Sequence, residues 1–161
     1  MKRTSVGHRN CSVARSLDVI GEWWTLLIVR DIVFGVRRFE AIQADLGVAR
    51  NILADRLATL VEHDVLARRK YQDGPERFEY VLTDKGEALF PVLMSLMRWG
   101  DEWQSPTGAP LELVHVPCAS ITLPGERCSV CDEPLRPRDM KVKRGPGFDA
   151  AQVAAESAPA G

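Results

Sequence analysis

Residues 47–66 read GVARNILADRLATLVEHDVL. Gly47 closes one helix and Arg50 opens the next. Ile52, Leu53, Leu57, Leu60 and Val61 recur at helical spacing and form one apolar stripe. At about 100° per residue, the opposite face carries Asn51, Asp55, Ala58, Thr59 and Glu62. One side of this helix is core. The other is polar and unbulky, the surface a helix needs to enter a groove and touch base edges. The preceding RRFEAIQADLG, residues 37–47, reads as a shorter helix. Two short helices joined by a Gly-containing turn make a helix-turn-helix unit. On this stretch alone, an ordinary helical hairpin inside a core has the same pattern.

The segment that follows separates the two readings. In LARRKYQDGPERFEYVLT, residues 66–72 and 77–83 have strand character, and Asp73-Gly74-Pro75 is a turn signal. A helix pair followed at once by a hairpin is the element order of a winged helix. Arg68, Arg69, Lys70 and Arg77 put positive charge on that hairpin, where a wing crosses the backbone or minor groove. A surface hairpin can also carry such charges for solubility. Arg37 and Arg38, just before the helix pair, read either as phosphate contacts or as a solvated turn.

Upstream, residues 23–34 (WWTLLIVRDIVF) form a nearly all-apolar helix and hence a central one, ended by Gly35. Adjacent Trp23 and Trp24 cannot face the same way, so one of them is free for a pocket or an interface. A shorter helix covers residues 12–21. Cys11 stands at its start, near His8, Arg9 and Arg15. Two readings are open for this thiol: a reactive sensor at a helix N-terminus, or a small buried apolar side chain. Residues 1–10, with Lys2, Arg3 and Arg9, read as a solvated arm.

Downstream, Thr83 suits an N-cap, and the helix it starts is expected to run to about Trp103. Within it, ALFPVLMSLMRW (residues 88–99) is apolar nearly all round. One small core cannot cover every side of such a helix, and a second copy of the chain is the natural cover. Pro91 either kinks this helix or belongs to its first turn. A symmetric dimer would set two reading helices about one DNA turn apart, on a palindrome.

QSPTGAPL, residues 104–111, marks a boundary. Beyond it, His115-x2-Cys118 and Cys128-x2-Cys131 are separated by nine residues. Two pairs of such ligands suit tetrahedral Zn²⁺, and four ligands with no vacancy make a structural site. The alternative is a reduced, loosely ordered thiol tail. Ala119 and Asp132 stand where metal-binding turns often use Gly. Residues 145–161 (GPGFDAAQVAAESAPAG) are Ala/Gly/Pro-rich and expected to be disordered.

Composition bounds the rest. The chain has 161 residues, a formal net charge of -1 and four cysteines. This balance argues against a sequence-indifferent, strongly basic binder, not against a specific one. No apolar run is long enough to span a bilayer, and the basic N-terminus lacks an apolar signal core. We expect a cytoplasmic protein with no membrane partner. No Ser/His/Asp set, phosphate loop or open metal site is present, so no enzyme is expected.

Several stretches together carry a family resemblance. They are CSVARSLDVIGEWWTLLIVRDIVFGVRRFEAIQADLG, NILADRLATLVEHDVLARR, RFEYVLTDKG and FPVLMSLMRWGDEW. In this order and spacing they resemble the HxlR family of bacterial winged helix-turn-helix transcriptional regulators. The resemblance implies a mainly α fold with a small β-hairpin, dimerising through terminal helices and binding operator DNA. It also implies that a cysteine at the place of Cys11 senses oxidants or electrophiles in some members. The tail is similar to an extension found in part of the family, with H-x2-CG and C-x2-CGEPL; both glycines are missing here. Many members carry Lys or Arg where Trp23 stands, and Ser where Ala49 stands.

The expectations are therefore these. Residues 1–104 form a DNA-binding and dimerisation domain, 105–144 a Cys/His extension and 145–161 a tail. Arg37, Arg38, Arg50, Asn51, Asp55, Arg56, Lys70 and Arg77 contact double-stranded DNA. His115, Cys118, Cys128 and Cys131 hold structural zinc. An oxidant at Cys11 or a small aromatic ligand is the effector. The competing reading is a zinc- or thiol-dependent interaction module whose winged helix docks protein.

Overall fold

A computed structural model of the chain describes residues 5–149. Its internal contacts divide it into two compact units, with the break between Gly86 and Glu87. The first unit holds four helices, α1 (Ser12–Ile20), α2 (Trp23–Val33), α3 (Phe39–Leu46) and α4 (Arg50–Glu62). They are followed by the antiparallel hairpin β1 (Leu66–Asp73) and β2 (Glu76–Leu82), then the single turn α5 (Asp84–Glu87). This is the winged helix-turn-helix order.

The core of this unit is built on α2. Ile28, Val29 and Ile32 are buried there, and α3, α4 and β2 all pack on that helix. Ile42 closes the core from α3; Leu53, Leu57 and Leu60 close it from α4. Ile52, placed in the apolar stripe by its spacing, is 39% exposed. It sits one position off the buried i, i+4, i+7 row of α4, so the stripe is narrower than the sequence suggests.

Arg30 joins α2 to α3. Its guanidinium donates to Asp31 (2.6 and 2.9 Å) and to Asp45 (3.1 Å). Burial pushes the Asp31 carboxyl up to about 6, against the pull of Arg30.

Two glycines are required by geometry. Gly47 adopts φ 61 between α3 and α4, and its N–H closes α3 on the Gln43 carbonyl (3.0 Å). At Gly86 a Cβ would lie 2.2 Å from the Val65 carbonyl oxygen, so only glycine lets α5 approach the start of β1.

The helix expected from Thr83 to Trp103 is broken. Thr83 does act as a cap, accepting the Gly86 N–H (3.1 Å), but α5 ends at Glu87. The next helix, α6 (Phe90–Trp103), starts afresh with Pro91 in its first turn, where a missing N–H costs nothing. By its contacts α6 belongs with the C-terminal unit, so the compact units part at residue 86 rather than at the expected 104.

The second unit adds a three-stranded antiparallel sheet in the order β4 (Ser120–Thr122), β3 (Leu111–His115), β5 (Met140–Arg144). No strand was expected here. Leu111, Leu113 and His115 alternate as in a half-buried strand, a pattern that the ligand spacing of His115 and Cys118 overlaps. Residues 145–149, expected to begin a disordered tail, continue the β5 pairing. Gly145 and Gly147 donate to the carbonyls of Pro110 (2.8 Å) and Ala109 (3.1 Å). Residues 150–161 of that tail, and Lys2 and Arg3 of the arm, lie outside the described residues. Ser5 and Val6 are not a solvated arm: the Ser5 hydroxyl and Val6 N–H donate to the Asp18 carboxylate (2.8 and 2.9 Å).

Candidate nucleic-acid interface and candidate metal centre

Gly47 turns the chain so that α4 leaves α3 with Leu53 and Leu57 inward. Asn51, Ala54, Asp55 and Ala58 are then left on the exposed side. Ala54 and Ala58 keep this face low. Ala49, the N-cap, contributes no side-chain hydrogen bond, so the first N–H groups of α4 depend on other acceptors. Arg50 lies 4.6 Å above the Phe39 ring, which steadies it at the head of the helix. Asp55 and Arg56 are ion-paired to each other, and Arg56 also reaches Glu22 at 3.8 Å. The Arg56 charge is thus already met inside the protein.

The hairpin sorts its cations by register. Arg69 stands opposite Glu79 and donates to it (2.6 and 2.9 Å). Lys70 is held by Glu76 (2.6 Å) and Asp73 (3.1 Å), and these carboxylates raise its pKa. Arg37, Arg38, Arg50, Arg68 and Arg77 form no ion pair among the described residues. Arg68 lies 4.3 Å over Phe78, and Arg38 lies 4.4 Å over Tyr71. The Tyr80 N–H donates to the Arg37 carbonyl (2.8 Å), which ties the hairpin to the start of α3. Sequence reasoning left Arg68 out of the contact set. Within the run Arg68-Arg69-Lys70, only the cross-strand partners tell a paired cation from an unpaired one.

Cys11 is exposed and caps α1 from an extended backbone, without a side-chain cap hydrogen bond. Arg15 donates from Nε to the Arg9 carbonyl (3.2 Å). Of the tryptophan pair, Trp23 is the outward one, 89% exposed, while Trp24 is half-buried.

In the second unit, the four expected ligands converge. His115 Nδ1 lies 3.3 Å from Cys118 Sγ and 3.4 Å from Cys131 Sγ, and Cys118 Sγ lies 3.7 Å from Cys128 Sγ. All four donor atoms fall within 4.8 Å of one another. Around a tetrahedral zinc the edges are about 3.8 Å between sulfurs and about 3.6 Å between sulfur and nitrogen. The donor set therefore fits the ion in chemistry, and three of its donor–donor distances lie near those edges.

The local backbone supports that fit. Burial alone would raise the Cys128 thiol, but the N–H groups of Cys131 and Val130 help bring it down to about 6. Cys131 moves the other way. The Glu133 N–H lowers it, but desolvation and the neighbouring Cys128 and Cys118 sulfurs outweigh that. Three sulfurs this close cannot all ionise easily without a cation among them. The second ligand pair is stapled by Cys128 N–H to Glu133 carbonyl (2.8 Å), Leu135 N–H to Glu126 carbonyl (2.8 Å) and the Arg127–Asp132 ion pair (2.8 Å).

Each ligand pair ends in a left-handed residue, Ala119 at φ 53 and Asp132 at φ 60. These are the two places where glycine is usual, so the backbone keeps the glycine conformation without the glycine. Asp tolerates that region better than Ala. Ala119→Gly is therefore expected to stabilise the second unit by up to about 1 kcal/mol, and Ala119→Val to destabilise it. The denaturant midpoint at unchanged slope measures both.

The family model described as HxlR-like helix-turn-helix matches residues 19–107. A relative from Mycobacterium tuberculosis, named an uncharacterized HTH-type transcriptional regulator, is 44% identical over 140 residues, covering 86% of this chain and 89% of its own. Among solved structures, the candidate transcription factor PA1607 is similar with a TM-score of 0.69 and 40% identity, over 88% of this chain and all of that one. The oxidised redox regulator HypR matches with a TM-score of 0.52 and 29% identity, over 57% of this chain and 96% of its own. No helix among the described residues is long and apolar enough to cross a membrane. Consistent with the winged helix-turn-helix order of its first unit, the chain belongs to the HxlR-like helix-turn-helix family and is a transcriptional regulator of the helix-turn-helix type.

Proposed function

We propose that this protein is a homodimer that binds a palindromic operator, reading bases with the first two turns of α4. The observation that carries this is electrostatic. The exposed, low-profile start of α4 is accompanied in its unit by guanidiniums that no carboxylate neutralises, Arg37, Arg38 and Arg77 among them. Asn51 suits adenine and Arg50 suits guanine by donor and acceptor pattern. Asp55 offers a carboxylate to cytosine if its pair with Arg56 opens. Lys70 and Arg56, both already paired, are the weakest of the expected phosphate contacts. With DNA as its ligand, the protein works in the cytoplasm.

The dimer reading rests on α6. Val92, Leu96, Trp99 and Trp103 are all exposed and follow one another at i, i+4, i+7 and i+11, a single apolar stripe. The zinc reading rests on the donor geometry: His115, Cys118, Cys128 and Cys131 leave no ligand position open, so the ion would hold the fold rather than react. An oxidant or electrophile signal would enter at exposed Cys11, in keeping with the description of the fold neighbour HypR as a redox regulator.

Fluorescence anisotropy on the DNA upstream of its own gene, over a range of salt, checks the operator reading. Arg50→Ala or Asn51→Ala should cost about 1–3 kcal/mol and relax base preference, whereas Arg77→Ala should weaken all sequences alike and flatten the salt slope by about 1. Binding that is absent on every fragment, or indifferent to salt, would sink it. For the dimer, Leu96→Glu should convert a sedimenting dimer into monomer; a wild-type protein already monomeric at micromolar concentration contradicts the assignment. Reduced, unchelated protein should contain one zinc per chain, and chelation should unfold residues 111–144 while the helices of the first unit persist.

A further inference from the structure

Between the first turn of α3 and one face of the hairpin lies a cleft of about 660 Å³, within the size range of small-molecule pockets. Its lining is aromatic and cationic together. Phe39 comes from α3, and Tyr71, Phe78 and Tyr80 come from the hairpin, all half-buried. In a regular strand Arg68 and Tyr71 would point to opposite faces. The register slip between Lys70 and Gln72 lets both line the same cleft.

The charges lean one way. Arg38 and Arg68 sit over the Tyr71 and Phe78 rings and line the cleft, and Arg77 lines it as well. Two carboxylates also line it, Glu40 and Glu76, but Glu76 is held by Lys70 at 2.6 Å. Three guanidiniums without ion pairs therefore face one free carboxylate.

We propose that this cleft binds a planar aromatic carboxylate and is an effector site of the protein, separate from Cys11. The ligand's ring would lie against Tyr80 and the guanidinium-covered rings of Tyr71 and Phe78, and its carboxylate would take paired N–H donors from Arg38 and Arg68. A phosphodiester chain would use these charges and leave the aromatic walls of the cleft without an apolar contact. A neutral aromatic would use the rings and leave guanidiniums desolvated without an anion. Only an aromatic anion uses both. The effector role rests on the operator reading, because Arg38 and Arg77 serve both ligands and occupancy would weaken DNA binding. Ligand binding itself does not require that reading, so the two can fail separately.

The test is titration of the full-length protein into 4-fluorobenzoate, followed by ¹⁹F NMR without DNA. Saturable binding is expected. Arg68→Ala should weaken it by about tenfold or more, and Arg68→Lys, which keeps the charge but loses the fork, by a smaller factor. Asn51→Ala should leave it unchanged while impairing DNA binding. 4-Fluorobenzamide should bind about tenfold more weakly than the carboxylate. The proposal is overturned by absence of saturable binding, by equal binding of the amide, or by indifference to both Arg68 substitutions. Displacement by equimolar inorganic phosphate also overturns it, and would assign the cleft to the DNA backbone.

Discussion

The burial of α4 against α2 is the contact on which the rest of the first unit depends. Leu53, Leu57 and Leu60 meet a helix whose own Ile28, Val29 and Ile32 are out of water. Burying each such side chain contributes about 1.5–3 kcal/mol relative to leaving it exposed. A helix anchored along one row has its rotation fixed, so Asn51, Ala54, Asp55 and Ala58 must face outward. The same anchoring sets where the chain leaves α4 and where the hairpin starts, since Val65 and Leu66 are buried directly after it. The packed and exposed faces of this one helix are separated by about half a turn.

Pairing of charge, rather than amount of charge, gives the surface its character. The chain has a net charge of only -1, yet among the described residues Arg37, Arg38, Arg50, Arg68 and Arg77 are left without acidic partners while Arg30, Arg56, Arg69 and Lys70 are matched. Exposed ion pairs contribute little to stability. Their effect here is to quench some cations and leave others to act. Stacking on Phe39, Tyr71 and Phe78 orders three of the unpaired guanidiniums without neutralising them, which conserves their charge for an anion.

The second unit solves a different problem. Beyond α6, its short strands and loops bury few apolar side chains, chiefly Leu113, Leu135 and Met140, beside the equally buried His115. A core this small gives marginal stability without a staple. The convergence of one imidazole and three thiols supplies the place for one, and the left-handed Ala119 and Asp132 show that the ligand turns accept some strain to form it.

The sequence by itself determined the element order of the first unit, the inner row of α4, the turn at Gly47 and the four-ligand cluster. These are local or periodic signals: a 3.6-residue repeat, a Gly at a helix end, two-residue ligand spacing. It also marked Ala119 and Asp132 as unusual, because a glycine position can be recognised from the cysteine beside it. Tertiary structure alone decided the exposure of Ile52 and Trp23, the restart of the helix at Phe90, and the sheet that carries His115. It alone decided which cations are quenched. Arg68, Arg69 and Lys70 are chemically alike in sequence and differ only in what lies across the hairpin. Cross-strand register and a one-residue bulge bring distant residues together, and no local pattern in the chain encodes that distance.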